Sequence, residues 1–398
     1  MWKGIEAAPA DAIFGLTEAF KKDSNPQKVN LGVGVYKDDQ GNTPVLHCVK
    51  AAEKLLLERE TTKGYLPIPG DAAYGAGVRQ LIFGEQSEVI AAGRAVTAHA
   101  PGGTGALRVG AELLKKFTRG AKVWISRPTW VNHKGVFAAV GFPLGEYAYY
   151  DATSMGLDFP AMVADLEAVP AGDIVVLHAC CHNPSGVDLS GEQWRQVVAI
   201  SKARGWIPFL DFAYQGFGAG LEQDRVAVEE FAAAGGDFFV ASSFSKNFGL
   251  YNERVGALTV VSPSQAETAV AMSHLKTTVR VLYSNPPAHG GLVVATVLGD
   301  PALCRQWQGE LAAMRERIVA MRSALVDGLA ARGVGRDFSF ITSQHGMFSF
   351  SGLNDEVVQW LRQHKAIYVV GGGRINLAGL TSTNIDYVCD AIAEALKK

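Results

Sequence analysis

Lys246 lies in the run Ser242-Ser243-Phe244-Ser245-Lys246-Asn247-Phe248-Gly249-Leu250-Tyr251-Asn252-Glu253-Arg254. Its amine can form a Schiff base with a carbonyl compound. Ser243 and Arg254, on either side, offer a hydroxyl and a planar guanidinium, donors that suit a phosphate. An amine held beside a phosphate clamp is what pyridoxal phosphate requires of a protein. The same run also reads as a solvated lysine on a turn, the commonest setting for a lysine. The rest of the chain has to separate these readings.

The elements that would position this lysine are strands. Phe238-Phe239-Val240-Ala241, just before it, is a short apolar run of the kind buried in a parallel sheet. Lys122 to Ser126, Ile174 to His178, Ile207 to Asp211 and Gly256 to Val261 read the same way, with helical segments between several of them, notably Gly191 to Arg204. Polar residues gather at the C-terminal ends of these strands: His178 with Asn183, Asp211 with Tyr214, Ser243 with Lys246. Ligands of open α/β sheets bind at those ends. Pro101-Gly102-Gly103-Thr104-Gly105 opens an apolar helical pattern, and the exposed N–H groups of a helix start attract anions. It is a poor dinucleotide fingerprint, because Arg108 stands where the third glycine would be.

The first 14 or so residues predict an irregular arm, and Phe14 to Lys22 a short helix. Val29 to Tyr36 is strand-like but interrupted by Gly32 and Gly34, and Val49 to Glu60 predicts a helix. Beyond residue 310 or so, Leu311, Met314, Ile318, Met321, Leu325 and Leu329 mark one face of a long helix. Short strands around Gly346 to Phe350 and Ala366 to Val370, and a last helix over Asn384 to Leu396, complete a smaller α+β domain.

The chain has 398 residues, enough for two domains, with 48% hydrophobic and 19% charged residues. Its 37 basic and 39 acidic residues leave a net charge of −2, which gives no field for nucleic acid or anionic lipid. No apolar run reaches membrane-spanning length, and Glu6 and Asp11 interrupt any signal-peptide core. The five cysteines (48, 180, 181, 304 and 389) form no disulfide framework, which fits a reducing cytoplasm. Zinc at Cys180-Cys181-His182 lacks a second ligand cluster, so no metal is expected.

Asn30-Leu31-Gly32-Val33-Gly34-Val35-Tyr36-Lys37, Pro101-Gly102-Gly103-Thr104-Gly105-Ala106-Leu107-Arg108, His178-Ala179-Cys180-Cys181-His182-Asn183-Pro184 and Ser243 to Tyr251 stand in order along the chain. Together they resemble class I, fold-type I aminotransferases dependent on pyridoxal 5′-phosphate, of the aspartate and aromatic amino acid subfamily, over nearly the whole length. The resemblance implies an α/β fold with an N-terminal arm at 1–14. A large cofactor-binding domain over 44–312 would carry a mostly parallel sheet covered by helices, with a small domain from 15–43 and 313–398.

It also implies roles. Lys246 matches the lysine that forms the Schiff base and later moves the substrate α-proton, which burial assists by lowering the cost of a neutral amine. Asp211 matches the carboxylate paired with the pyridine nitrogen, and Asn183 and Tyr214 match donors to the ring oxygen. Trp130 matches the indole on the ring face, and His133 and His178 resemble partners of the aspartate. Gly103, Thr104, Ser243 and Arg254 would clamp the phosphate, with Tyr65 reaching it from a second subunit. Arg374 matches the arginine for the substrate α-carboxylate, and Arg280 the cross-subunit arginine for a side-chain carboxylate, so the resemblance implies a homodimer with shared sites. Gly34 would let its segment close over substrate.

The implied activity is transfer of the amino group of L-aspartate, and of aromatic L-amino acids, to 2-oxoglutarate by a ping-pong cycle. Aromatic amino acids as main substrates, or another α-carbon reaction on the same fold, are the alternatives. The chain departs from the family pattern at Gly64, before Tyr65, and at Gly373, where many relatives carry serine before the arginine. Both bear on how the site closes and selects substrate.

Overall fold

Three central runs, Ile174–His178, Ile207–Phe212 and Phe238–Ser243, are apolar along most of their length and buried almost throughout, so they can pair only inside a sheet covered on both faces. The structure, a computed structural model, describes residues 1–7 and 12–397, with side chains described for 1–7 and 15–397. The sheet has seven strands: β1 (Ala95–Pro101), β2 (Val123–Arg127), β3 (Leu144–Ala148), β4 (Ile174–His178), β5 (Ile207–Phe212), β6 (Phe238–Ser243) and β7 (Val255–Val261), in the spatial order β1-β7-β6-β5-β4-β2-β3. All neighbours are parallel except β7, which runs antiparallel to β1 and β6. The helix at Gly191–Arg204 falls where the sequence places it, closed by a Ser190 capping box and by Gly205 in the left-handed region.

β1 and β3 were not expected. β1 reads Ala-Val-Thr-Ala-His-Ala-Pro, weak strand material by propensity, and is held by full antiparallel pairing with β7 from Ala95↔Val261 to Pro101↔Val255. β3 lies at the opposite edge, paired with β2 alone.

The chain divides into two compact units, residues 43–316 with 344–346, and residues 1–42 with 317–343 and 347–398. The sheet and its apolar core belong to the larger unit. In the smaller unit, Val29–Asn30 pairs in parallel with Ile367–Tyr368, and Phe348–Phe350 pairs antiparallel with Arg374–Asn376. The strand-like stretch of Val29 to Tyr36 therefore forms only two residues of strand. The helix expected from Phe14 already begins at Ala12, while residues 8–11 of the expected arm, Asp11 among them, lie outside the described residues. The long helix starts at Pro301 and ends at Ala331, with Leu311, Met314, Ile318, Leu325 and Leu329 buried and Met321 half-buried. Arg322 is buried with them, because its guanidinium donates to the carbonyls of Ile341 (3.0 Å) and Phe348 (2.7 Å). No helix among the described residues is long and apolar enough to cross a membrane.

β1 runs directly into the helix Gly102–Phe117, and Gly256 of β7 lets that helix start lie against the sheet. A Cβ at Gly256 would sit 2.4 Å from the Gly102 carbonyl carbon. Gly256→Ala should therefore lower the free energy of unfolding by about 1–3 kcal/mol, read as a lower midpoint in chemical denaturation. An unchanged midpoint would show that the helix start can shift freely.

Candidate active site

Asp211 ends the apolar part of β5 and is paired in register with His178 of β4 and Ala241 of β6. Its Oδ2 accepts from His133 Nε2 at 2.9 Å. Burial works to raise this carboxyl, but the hydrogen bond from His133, with the charge on Lys246 assisting, more than offsets it and leaves the group below the usual carboxylate range. Thr129 Oγ1 then bridges His133 Nδ1 (2.7 Å) and His178 Nε2 (3.1 Å). One hydroxyl carries one proton, so Thr129 can donate to only one of the two rings, and the protons of the two histidines are coupled. Burial first, and the neighbouring His133 second, pull His178 down to about 3.

Lys246 follows β6 on a turn and is half-buried. Burial pulls its ammonium below the usual value, the Asp211 carboxylate opposes this, and the Arg254 guanidinium adds to it. Its Nζ lies 4.9 Å from the centre of the Tyr214 ring. Asn183 and Tyr214 are both buried, and half-buried Trp130 meets the His133 ring edge to face at 5.4 Å. Asp211, Tyr214, Lys246, Trp130, His133 and His178 are thus drawn together at the C-terminal ends of the parallel strands.

Beside them is an anion cradle. The helix Gly102–Phe117 begins without a side-chain cap, so the first N–H groups, around Gly103 and Thr104, keep no capping partner. Gly102 has φ +72°, and a Cβ there would lie 2.3 Å from Arg254 Nη2, so glycine leaves the space that the guanidinium occupies. A Cβ at Gly103 would be 3.0 Å from Ser243 Cβ. Arg254 itself has φ +57°, unusual for a side-chain-bearing residue, and its Nη1 donates to Tyr251 O (2.8 Å) and Ser245 Oγ (3.5 Å). A helix start, two serines and a held guanidinium converge there, and the donor set fits a phosphate.

Gly34 and Arg374 belong to the smaller unit, where the Phe348 ring joins them: Arg374 Cζ lies 4.4 Å from its centre, and a Cβ at Gly34 would be 2.7 Å from its Cζ. Gly34 is glycine because an aromatic ring fills its side-chain position. At Gly373 (φ +76°) a Cβ would meet the Leu353 carbonyl oxygen at 2.5 Å, so this backbone has no room for a serine there. Tyr65 is 95% exposed and Arg280 is exposed, with its Nη1 donating to Ser284 Oγ at 2.5 Å. Their segments are tied together by Asn285 Nδ2, which donates to Leu66 O (3.1 Å).

Sequence reasoning missed Thr129, Ser245, Phe348 and Asn376, and took Gly102 only as part of the Pro101–Gly105 helix start. Thr129 follows β2 just as Lys246 follows β6, and the strand-end signal reaches it once β2 is extended to Arg127. The others are visible only as contacts. Around Cys180-Cys181, His182 turns to Ser126 Oγ (3.0 Å) and Ser185 Oγ (2.7 Å), while the thiols lie near Asp224. The Asp224 carboxylate accepts backbone N–H groups of Gly216, Gly218, Ala219 and Gly220, so it serves that loop.

Residues 26–392 match the family described as aminotransferase class I and II. The chain is 51% identical over 396 residues to the aspartate aminotransferase of Haemophilus influenzae, with 100% of each chain covered. The crystal structure of the aromatic-amino-acid aminotransferase from Burkholderia pseudomallei covalently bound to pyridoxal phosphate superposes with a TM-score of 0.98 at 53% identity, covering 100% of this chain and 99% of that one. The psychrophilic aromatic amino acids aminotransferase from Psychrobacter sp. B6, cocrystallised with aspartic acid, gives 0.98 at 44% identity and 100% coverage of both. The chain belongs to the class I and II aminotransferase family, and its architecture is that of the fold-type I enzymes.

The buried histidines make the fold acid-sensitive. His99, on β1, is pulled to about 4, by burial first and against the opposing charge of Asp71, and His178 is pulled to about 3. Both stay neutral in the folded chain at pH values where the unfolded chain, titrating near 6.5, takes up protons. Their contribution to stability is complete above about pH 6.5 and is lost progressively as the pH falls toward the folded values. His99→Phe keeps the ring against Tyr74, 4.4 Å away, and removes one titration. Its unfolding free energy should fall by about 3 kcal/mol less than the parent's between pH 7 and pH 4. Equal acid sensitivity would refute this assignment.

Proposed function

We propose that the chain is a pyridoxal 5′-phosphate-dependent aminotransferase that moves the amino group of L-aspartate to 2-oxoglutarate by a ping-pong cycle and accepts aromatic L-amino acids more slowly. The observation that carries this reading is Lys246, its ammonium lowered by burial, between the charges of Asp211 and Arg254 and next to an anion cradle. When bound, the cofactor supplies an aldehyde and an electron-accepting ring.

The chain's own residues supply the rest. The helix start at Gly103 and Thr104, with Ser243 and Arg254, would hold the phosphate, and Ser245 would help to orient Arg254. Asp211, kept ionised by His133, would hold a proton on the pyridine nitrogen, and Thr129 with His178 fixes the His133 ring. Asn183 and Tyr214 would donate to the ring oxygen, and Trp130 would cover the ring face. Lys246, with a lowered cost of deprotonation, would hold the aldehyde and, once displaced by the incoming substrate amine and free again, would take up the proton released from the substrate α-carbon. Arg374 would take the α-carboxylate bidentately.

Tyr65 and Arg280 project from the surface of a single chain, next to exposed Val281. This supports a homodimer in which each chain lends those residues to its partner's site. The unbridged cysteines support a cytoplasmic setting. Aromatic substrates are included because the aromatic-amino-acid enzymes of Burkholderia pseudomallei and Psychrobacter superpose so closely.

Substrate choice is the sharpest test. A dicarboxylate gives Arg280 a counter-charge and an aromatic side chain does not, so Arg280→Ala should cut kcat/KM for aspartate about 30- to 1,000-fold more than for phenylalanine. Steady-state kinetics with both substrates against 2-oxoglutarate measures this. Equal losses would mean that Arg280 supports structure instead of reading the side chain.

A further inference from the structure

The strand Arg374–Asn376 presents its first and third side chains on one face, and both reach the same neighbouring segment. Arg374 Nη2 donates to Gly32 O at 2.6 Å. Asn376 Nδ2 donates to Val33 O (2.6 Å) and Val35 O (2.9 Å), the carbonyls on either side of Gly34, while its backbone N–H donates to Leu31 O (2.7 Å). Its Oδ1 accepts from Ala378 N at 3.1 Å, which fixes the amide with both N–H bonds toward the Gly34 segment. Val35 N donates to Val33 O at 2.9 Å, so the chain turns tightly at Gly34, and the turn is pinned from outside by one buried amide. On its other side the turn rests on the Phe348 ring, which also carries the Arg374 guanidinium and whose carbonyl is held by buried Arg322.

We infer that Asn376 is a positioning residue for substrate carboxylate binding: its amide fixes the Gly34 turn against Phe348 and so sets where the Arg374 guanidinium points. This deepens the proposed function and rests on its reading of Arg374 as the α-carboxylate site. The amide belongs to the smaller unit, and the phosphate cradle and the Asp211 pair to the larger one, so its loss should act on carboxylate binding and spare the cofactor. Because both donors come from one nitrogen, a side chain without N–H loses both together. The shorter hydroxyl of serine keeps one donor.

The test uses the holoenzyme with succinate, a dicarboxylate that lacks the α-amine, as a non-reacting probe. For Asn376→Ala, the succinate dissociation constant from calorimetry and the KM for aspartate should rise about tenfold, as expected for two lost neutral hydrogen bonds. The kcat should stay within about threefold and the cofactor content should be unchanged. Asn376→Ser should fall between parent and alanine, and it carries the test if the alanine variant does not fold. Parental succinate affinity in a folded Asn376→Ala overturns the inference. So does a fall in kcat and cofactor content that matches the loss of affinity, since that marks a merely structural residue. Arg374→Ala, measured alongside, separates the two levels: unchanged succinate affinity there overturns the reading of Arg374 itself.

Discussion

An ionised carboxylate in a buried place is what the rest of the structure serves. Asp211 sits at the end of a strand covered on both faces, where desolvation alone would neutralise it. The His133 N–H reverses that, and Thr129 and His178 hold the His133 ring in turn. With Asp211 charged, Lys246 has a counter-charge that limits how far burial lowers its ammonium. The lysine is thereby tuned between two opposing effects, which would suit the nucleophile and proton carrier proposed for it.

The fold delivers this arrangement through the ends of β4, β5 and β6, whose register places His178 opposite Asp211 and Asp211 opposite Ala241. The anion cradle comes from elsewhere in the sequence, from the junction of β1 with its helix and from Arg254 just before β7. Antiparallel pairing of β1 with β7 is what brings Gly102 to Arg254, and glycines at 102 and 256 let backbone and guanidinium approach. The one strand that breaks the parallel pattern therefore completes the anion cradle.

Much of this was legible in the sequence, for physical reasons. β4 and the helix Gly191–Arg204 were placed to the residue, because an apolar run and a capped amphipathic segment announce themselves locally. The strand-end positions of His178, Asp211 and Ser243 followed from the same pattern. β1 was illegible because its alanines carry no β preference, and only pairing with β7 makes it a strand. Val29 to Tyr36 misled in the opposite sense: it looked extended, but after Leu31 the carbonyls of Gly32, Val33 and Val35 accept from the Arg374 and Asn376 side chains instead of a strand. Arg322, Thr129 and Phe348 matter through partners distant in sequence, which periodicity cannot reveal.

In the proposed function, an ionised Asp211, held so by His133, makes the chemistry possible. This is tested most directly by kcat/KM for aspartate in Asp211→Ala and Asp211→Glu, with cofactor content measured in each. The alanine variant should fall by more than about tenfold at full cofactor occupancy, because a charge-assisted bond worth about 1.5–3 kcal/mol is gone, and glutamate should restore part of the loss. An alanine variant that binds cofactor fully and turns over within about twofold of the parent would contradict it.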